Sequence, residues 1–138
     1  MKSMSVPRAR RNTSVMEFLH NAMQIEIYTR QKCKKFPKSE RFTTCAALIG
    51  LAREARGHLA RGNEIYPTNQ HEAQLRRDCF IKAKSVYADF VQEIEICCRA
   101  CGINMDVLPE WMSLIDKEIT LIRGVMDNDR RRYKDLKP

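Results

Sequence analysis

The sequence predicts an all-α protein, an up-down-up-down four-helix bundle. Three observations carry this. Apolar residues recur at three- and four-residue steps through four long stretches. Only five Gly and five Pro occur in 138 residues, and Pro37, Pro67 and Pro109 mark the joints between stretches. No alternating strand pattern competes with the helical one. Short links between amphipathic helices give antiparallel neighbours.

The first helix is expected to start near Thr13. Ser14-x-x-Glu17 has the spacing of a capping box, in which each side chain satisfies a free backbone N–H. Val15, Phe18, Ala22, Ile25 and Thr29 form its stripe, with Leu19 and Met23 beside it. Lys32-Cys33-Lys34-Lys35 suits a helix C-terminus, where cations oppose the negative end of the dipole. Phe36-Pro37 ends it. The second helix is expected from Ser39, with Phe42, Cys45, Ile49 and Ala52 as its stripe and Leu48, Ala55 and Leu59 widening it. Gly62-Asn63 is its expected C-cap.

Thr68 or Asn69 is expected to cap a long third helix, since Asn69-x-x-Glu72 again has capping-box spacing. Its stripe reads Leu75, Cys79, Ala83, Val86, Phe90, Ile94, Cys97 and Cys101, ending at Gly102 as the C′ glycine. Pro109 fits the first turn of the fourth helix, where a missing N–H costs nothing. Met112, Ile115, Ile119, Ile122 and Met126 give one stripe there, and Leu114, Leu121 and Val125 a second. That double face is either one broad core face or a second face for another subunit. The expected division is a basic arm over 1–12, the bundle over 13–126 and a solvated charged tail over 127–138.

Charge is unevenly distributed. Residues 1–62 carry 13 Lys/Arg against four acids, a net +9, whereas residues 63–138 are at −1. A basic surface favours a polyanionic partner, because phosphates held by Lys and Arg release condensed counterions. Arg8, Arg10 and Arg11 form an arm, and five cations cluster over Lys32–Arg41, Lys34 and Lys35 among them. Arg53 and Arg56 lie three apart on the second helix, with Arg61 near its end; Arg76 and Arg77 open the third. Each cluster alone reads as a solubilising surface. Their concentration favours a binding surface that touches phosphate backbone with weak sequence preference.

Signs of catalysis are few. The sequence has no phosphate-loop, GxGxxG or GxSxG motif. Glu17-Phe18-Leu19-His20 matches the Glu-x-x-His of di-iron bundles, but a second such pair is missing. Cys97, Cys98 and Cys101 suggest a metal or thiol site, yet lack a second Cys/His pair at zinc spacing. The six cysteines are expected to be reduced core residues of a cytosolic protein, since the N-terminus has no apolar signal region. The expectation is a non-enzyme without metal or other cofactor.

Phe36-Pro37-Lys38-Ser39-Glu40-Arg41-Phe42 resembles the start of the second helix in the four-helix-bundle family of proteins encoded in 23S rRNA intervening sequences. Met4-Ser5-Val6-Pro7, Arg11-Asn12-Thr13-Ser14 and Met16-Glu17-Phe18 resemble a narrower branch, the accessory variability determinants of diversity-generating retroelements. So do Asn63-Glu64-Ile65-Tyr66-Pro67-Thr68-Asn69, Glu118-Ile119 and Ile122-Arg123-Gly124. The resemblance covers most of residues 4–126 and rests on short, mostly structural motifs. Cys45, Ala46 and Ala47 depart from it, making the second helix smaller and richer in alanine.

The resemblance implies a non-catalytic, pentameric, positively charged barrel. Such a barrel binds the element's reverse transcriptase and template RNA and supports mutagenic cDNA synthesis. It transfers no specific contact residue, only the expectation that basic helix faces meet polymerase or nucleic acid. The alternative it leaves is a stand-alone bundle of the intervening-sequence type with a protein- or RNA-interaction role.

Overall fold

The computed structural model describes residues 16–138. The Thr13–Ser14 helix start and the Arg8, Arg10, Arg11 arm lie outside the described residues. Four long helices follow: α1 (Glu17–Cys33), α2 (Ala46–Asn63), α3 (Gln70–Ala100) and α4 (Leu108–Arg132). Each packs on its neighbour in sequence and α4 closes back on α1, giving a four-helix bundle. Among the described residues no helix is long and apolar enough to cross a membrane.

Phe18, Ala22, Ile25 and Thr29 of α1 face the core as their spacing predicts. The chain turns at buried Phe36 and extended Pro37 (φ −55°, ψ 146°). A 3-10 turn over Lys38–Glu40 and a π turn over Arg41–Cys45 then precede α2. The regular helix therefore begins at Ala46 rather than near Ser39. The wider π turn re-aims the side chains it carries. Phe42, expected in the core stripe, is 93% exposed as a result.

From Cys45 onward the buried positions of α2 are Cys45, Leu48, Ala52, Ala55, Leu59 and Gly62, a strict three–four seam. Gly62 is not the expected C-cap. It lies inside the last turn, buried against α3, and a Cβ there would sit 2.7 Å from Phe80 Cε1 and 2.9 Å from Cys79 Cβ. Its missing side chain lets α2 and α3 close on each other.

Of the two candidate caps of α3, Asn69 is the one used, and Thr68 braces it through Glu72. Asn69 Oδ1 accepts the Glu72 N–H at 2.8 Å, while Glu72 Oε1 accepts from the Thr68 N–H and hydroxyl at 2.7 and 2.8 Å. Those donors hold the Glu72 carboxyl below the ordinary carboxylate range. The helix ends in a Schellman motif around Gly102 (φ 66°), with Gly102 N–H on Arg99 O at 3.3 Å and Ile103 N–H on Cys98 O at 2.9 Å.

The expected stripe of α3 holds only in part. Its buried residues are Arg76, Phe80, Ala83, Tyr87, Phe90, Ile94, Cys97 and Cys98. In the N-terminal half the core face is thus one residue later than predicted, and Leu75 is 44% exposed.

On α4, Pro109 does sit in the first turn. The core residues are Trp111, Ile115, Glu118, Ile122 and Met126. Leu114, Leu121 and Val125, the second apolar stripe, pack half-buried against the same core. Trp111 lies edge-on to Tyr28 and Phe90, at 5.8 and 6.3 Å between ring centres. Its indole N–H donates to Thr29 Oγ1 at 3.1 Å, and that hydroxyl donates to Ile25 O at 2.7 Å. The helix continues through Arg132 instead of fading at Asp127. Residues beyond it fold onto α3: Gln70 Nε2 donates to the carbonyls of Tyr133 (2.7 Å), Leu136 (3.0 Å) and Lys134 (3.3 Å), and the Gln70 N–H to Lys137 O (2.7 Å).

Candidate nucleic-acid interface

The expected basic residues separate into two groups once folded. Arg30, Lys34, Lys35, Lys38, Arg41, Arg53 and Arg61 are all exposed on the first helical hairpin and its corner. Lys34 and Lys35 follow α1 directly, so the last turn aims them away from the buried Cys33 and Phe36 on either side. Arg53 stands on the outer side of the α2 seam and makes no ion pair among the described residues. Arg61 Nη2 lies 2.9 Å from His58 Nδ1, and His58 Nε2 lies 3.6 Å from Glu54. Arg10 and Arg11 lie outside the described residues.

Arg56 has a structural commitment. Its Nε donates to Glu26 Oε1 at 2.7 Å, tying α2 to α1, while Arg30 bonds the other oxygen at 3.2 Å. Burial works against ionising Glu26, but these two arginines outweigh it and hold its carboxyl below the ordinary range. Two of the hairpin's cations thus serve one of its acids.

Arg76 does not belong to the interface. It is 6% exposed, contrary to its expected role as a phosphate or partner contact. Its Nε and Nη2 meet Asp129 of α4 at 2.7 and 3.3 Å. Nη1 donates to the Gly62 and Ile65 carbonyls at 3.2 Å each, and the guanidinium lies 5.0 Å over the Phe80 ring. From α3, Arg76 adds a second donor to the Gly62 carbonyl, which also accepts the Ile65 N–H at 3.1 Å, and it holds the Ile65 carbonyl in the link after α2. A spacing rule that treats every Arg as surface cannot see this. Arg77, one residue on, is half-buried at the rim of a pocket between α3 and α4.

A second polar group went unnoticed in the sequence. Glu118 faces the core with no exposure, and its Oε1 accepts from Asn21 Nδ2 at 3.0 Å. Its Oε2 and the hydroxyl of fully buried Tyr87 have no hydrogen-bond partner among the described residues. Burial pushes the Glu118 carboxyl up to about 8, against the smaller opposing pull of Asn21. Tyr87 is raised as well, by burial first and by Glu118 second. The clue in the sequence is an acid in the i, i+3, i+4 register of Trp111, Ile115 and Ile122.

All six thiols are free. Burial raises Cys33 to about 12, aided by Cys45, and Cys97 to about 11, aided by Glu93. Thiols held protonated are poor nucleophiles. Among the described residues no three His, Cys, Asp or Glu side chains are grouped to hold a metal ion, so Cys97, Cys98 and Cys101 are not brought together as ligands. Comparisons with family models, with curated proteins and with solved structures found no match to this chain.

Proposed function

We propose that this chain is a non-catalytic accessory protein of a diversity-generating retroelement. In this reading it binds the element's reverse transcriptase and template RNA through basic helix faces and supports mutagenic cDNA synthesis in the cytoplasm. The observation that best supports the reading is the run of exposed cations on the first hairpin: Arg30, Lys34, Lys35, Lys38, Arg41, Arg53 and Arg61. The four-helix architecture agrees with the short motifs that resemble accessory variability determinants, a likeness that also suggests a homo-pentamer. Repeating the hairpin around a ring multiplies its phosphate contacts without any new one per subunit.

Filter binding to structured RNA across a salt series tests the reading. Several neutralised phosphates require affinity to fall steeply as salt rises. A flat response refutes it. Charge reversal at Arg53, Lys34 and Lys35 is expected to weaken binding with little change in melting temperature, because these side chains are exposed. The rival reading, a stand-alone bundle of the intervening-sequence type, shares the Phe36–Phe42 segment. A reverse-transcriptase gene with a template and variable repeat beside this gene supports the first reading; their absence supports the rival.

A further inference from the structure

The third and fourth helices, nearly neutral in sum, build a cationic recess that the sequence scatters. A pocket of about 250 Å³ opens between the start of α3 and the end of α4. Its wall presents Arg77 from α3, Arg130 from the last turn of α4 and Lys134 just beyond. The sole acid in the wall is Asp129, whose carboxylate is taken by Arg76 at 2.7 and 3.3 Å. Arg77 makes no ion pair among the described residues. Arg130 has one long exposed contact, 3.9 Å to Asp127, of the kind that contributes little. Arg77 and Lys134 therefore line the recess with no ion pair among the described residues, and Arg130 with only that weak one.

The recess also has an aromatic wall and a fixed frame. Tyr133 lines it beside Lys134, and Gln70 pins the segment carrying both through its hydrogen bonds to the carbonyls of Tyr133, Lys134 and Leu136. A ligand meeting these side chains does not have to order the chain first. Three cationic residues lining one recess favour an anion of more than one charge over a singly charged internal phosphodiester. A terminal phosphate carries about −1.5 to −2 at neutral pH and offers three strong acceptor oxygens. The volume lies below the roughly 300–1,000 Å³ of pockets that enclose a drug-sized ligand, so the recess takes the phosphate end of a nucleotide and leaves part of the nucleoside outside.

We propose that this pocket binds a nucleoside phosphomonoester, carried at the end of a nucleic-acid strand or free. For a strand end the inference rests on the nucleic-acid reading above and assigns the chain an end-recognising site apart from the basic hairpin.

The test is a fluorescence-polarisation titration of one oligoribonucleotide with a terminal phosphate or a terminal hydroxyl, beside calorimetry with adenosine monophosphate. The wild-type chain is compared with an Arg77→Ala/Lys134→Ala variant. That variant leaves the Arg76–Asp129 pair intact, and a circular-dichroism melt checks its fold. The terminal phosphate is expected to tighten binding about tenfold, and the variant to lose that gain while still binding the hydroxyl form. Adenosine monophosphate binding comparably to the phosphorylated strand identifies the free nucleotide as the ligand; weak binding of it beside the tenfold gain identifies the strand end. Equal affinity for both strands with no binding of the nucleotide overturns the proposal, as does a gain that survives in the variant. If neither strand binds but the nucleotide does, and the variant abolishes this, the pocket stands and the RNA reading fails.

Discussion

Arg76 and Glu118 are both ionisable side chains sunk into the bundle, and their surroundings differ in kind. Arg76 makes four hydrogen bonds: two to the Asp129 carboxylate and two to carbonyls at the end of α2. Glu118 accepts one, from a neutral amide, and leaves Oε2 without a partner. The arginine can keep its charge because a counter-charge and dipoles replace the water it loses. Among the described residues no cation lies within ion-pair distance of the glutamate; Lys117 and Glu17 act on it less than burial does and in opposite directions. Folding therefore stores one group as a charged joint and the other as a neutral acid.

The sharpest way to break this comparison is to remove the joint. Arg76→Ala leaves the Asp129 carboxylate without its close partner and removes the donor to the Ile65 carbonyl, and denaturant titration is expected to show a loss of about 3–5 kcal/mol. A loss well under 1 kcal/mol means that water already screens the pair. Glu118 is probed by pH instead. The folded chain holds its proton to about pH 8, whereas the unfolded chain releases it near the ordinary carboxylate value of 4.5. Between those limits the folded state binds more protons, so stability falls as pH rises, by up to about 1.4 kcal/mol per unit. The destabilisation is absent below the window and complete above it. Glu118→Gln mimics the neutral acid and is expected to flatten that part of the profile; an unchanged slope assigns it to another group.

Smaller effects test what surrounds the joint. Gly62 carries one of the carbonyls that Arg76 holds, and Gly62→Ala drives a methyl against Phe80. A cost of about 1–3 kcal/mol is expected in thermal melts. Asn69→Ala removes the cap at the start of the helix that bears Arg76, for about 1 kcal/mol. Phe42→Ser is expected to change stability by less than about 0.5 kcal/mol, since that ring touches little. A larger loss there places Phe42 in contact with the bundle after all.

Fold and caps were legible in the sequence because they are local or periodic. Asn69, Glu72, Gly102 and Pro109 act within a turn of their own position, and the number of helices follows from four apolar stripes. The errors arose where a distant partner decided the outcome. Apolar spacing phases the N-terminal half of α3 on Leu75 and Cys79, whereas Asp129, 53 residues away, draws Arg76 inward. Gly62 looked like a helix stop because its close neighbour, Phe80, lies on another helix. Phe42 kept the right spacing, but the π turn it sits in does not follow the α period. Of the expected interface, Lys34, Lys35, Arg53 and Arg61 stand in the open, Arg56 is shared with Glu26, and Arg77 joins residues from the far end of the chain. Composition can count such cations; only the packing sorts them.

The chain has a single tryptophan, and it is Trp111. Fully enclosed at the meeting of α1, α3 and α4, it makes the protein its own optical gauge. Its emission is expected to be blue-shifted while the bundle is closed and to move to the red when water reaches the indole. One wavelength thus follows the closure of three helices without any added dye. Arg53 and the recess at Arg77 lie at the surface, away from that enclosed ring, so a binding event that shifts the emission reports a change in helix packing rather than mere occupancy.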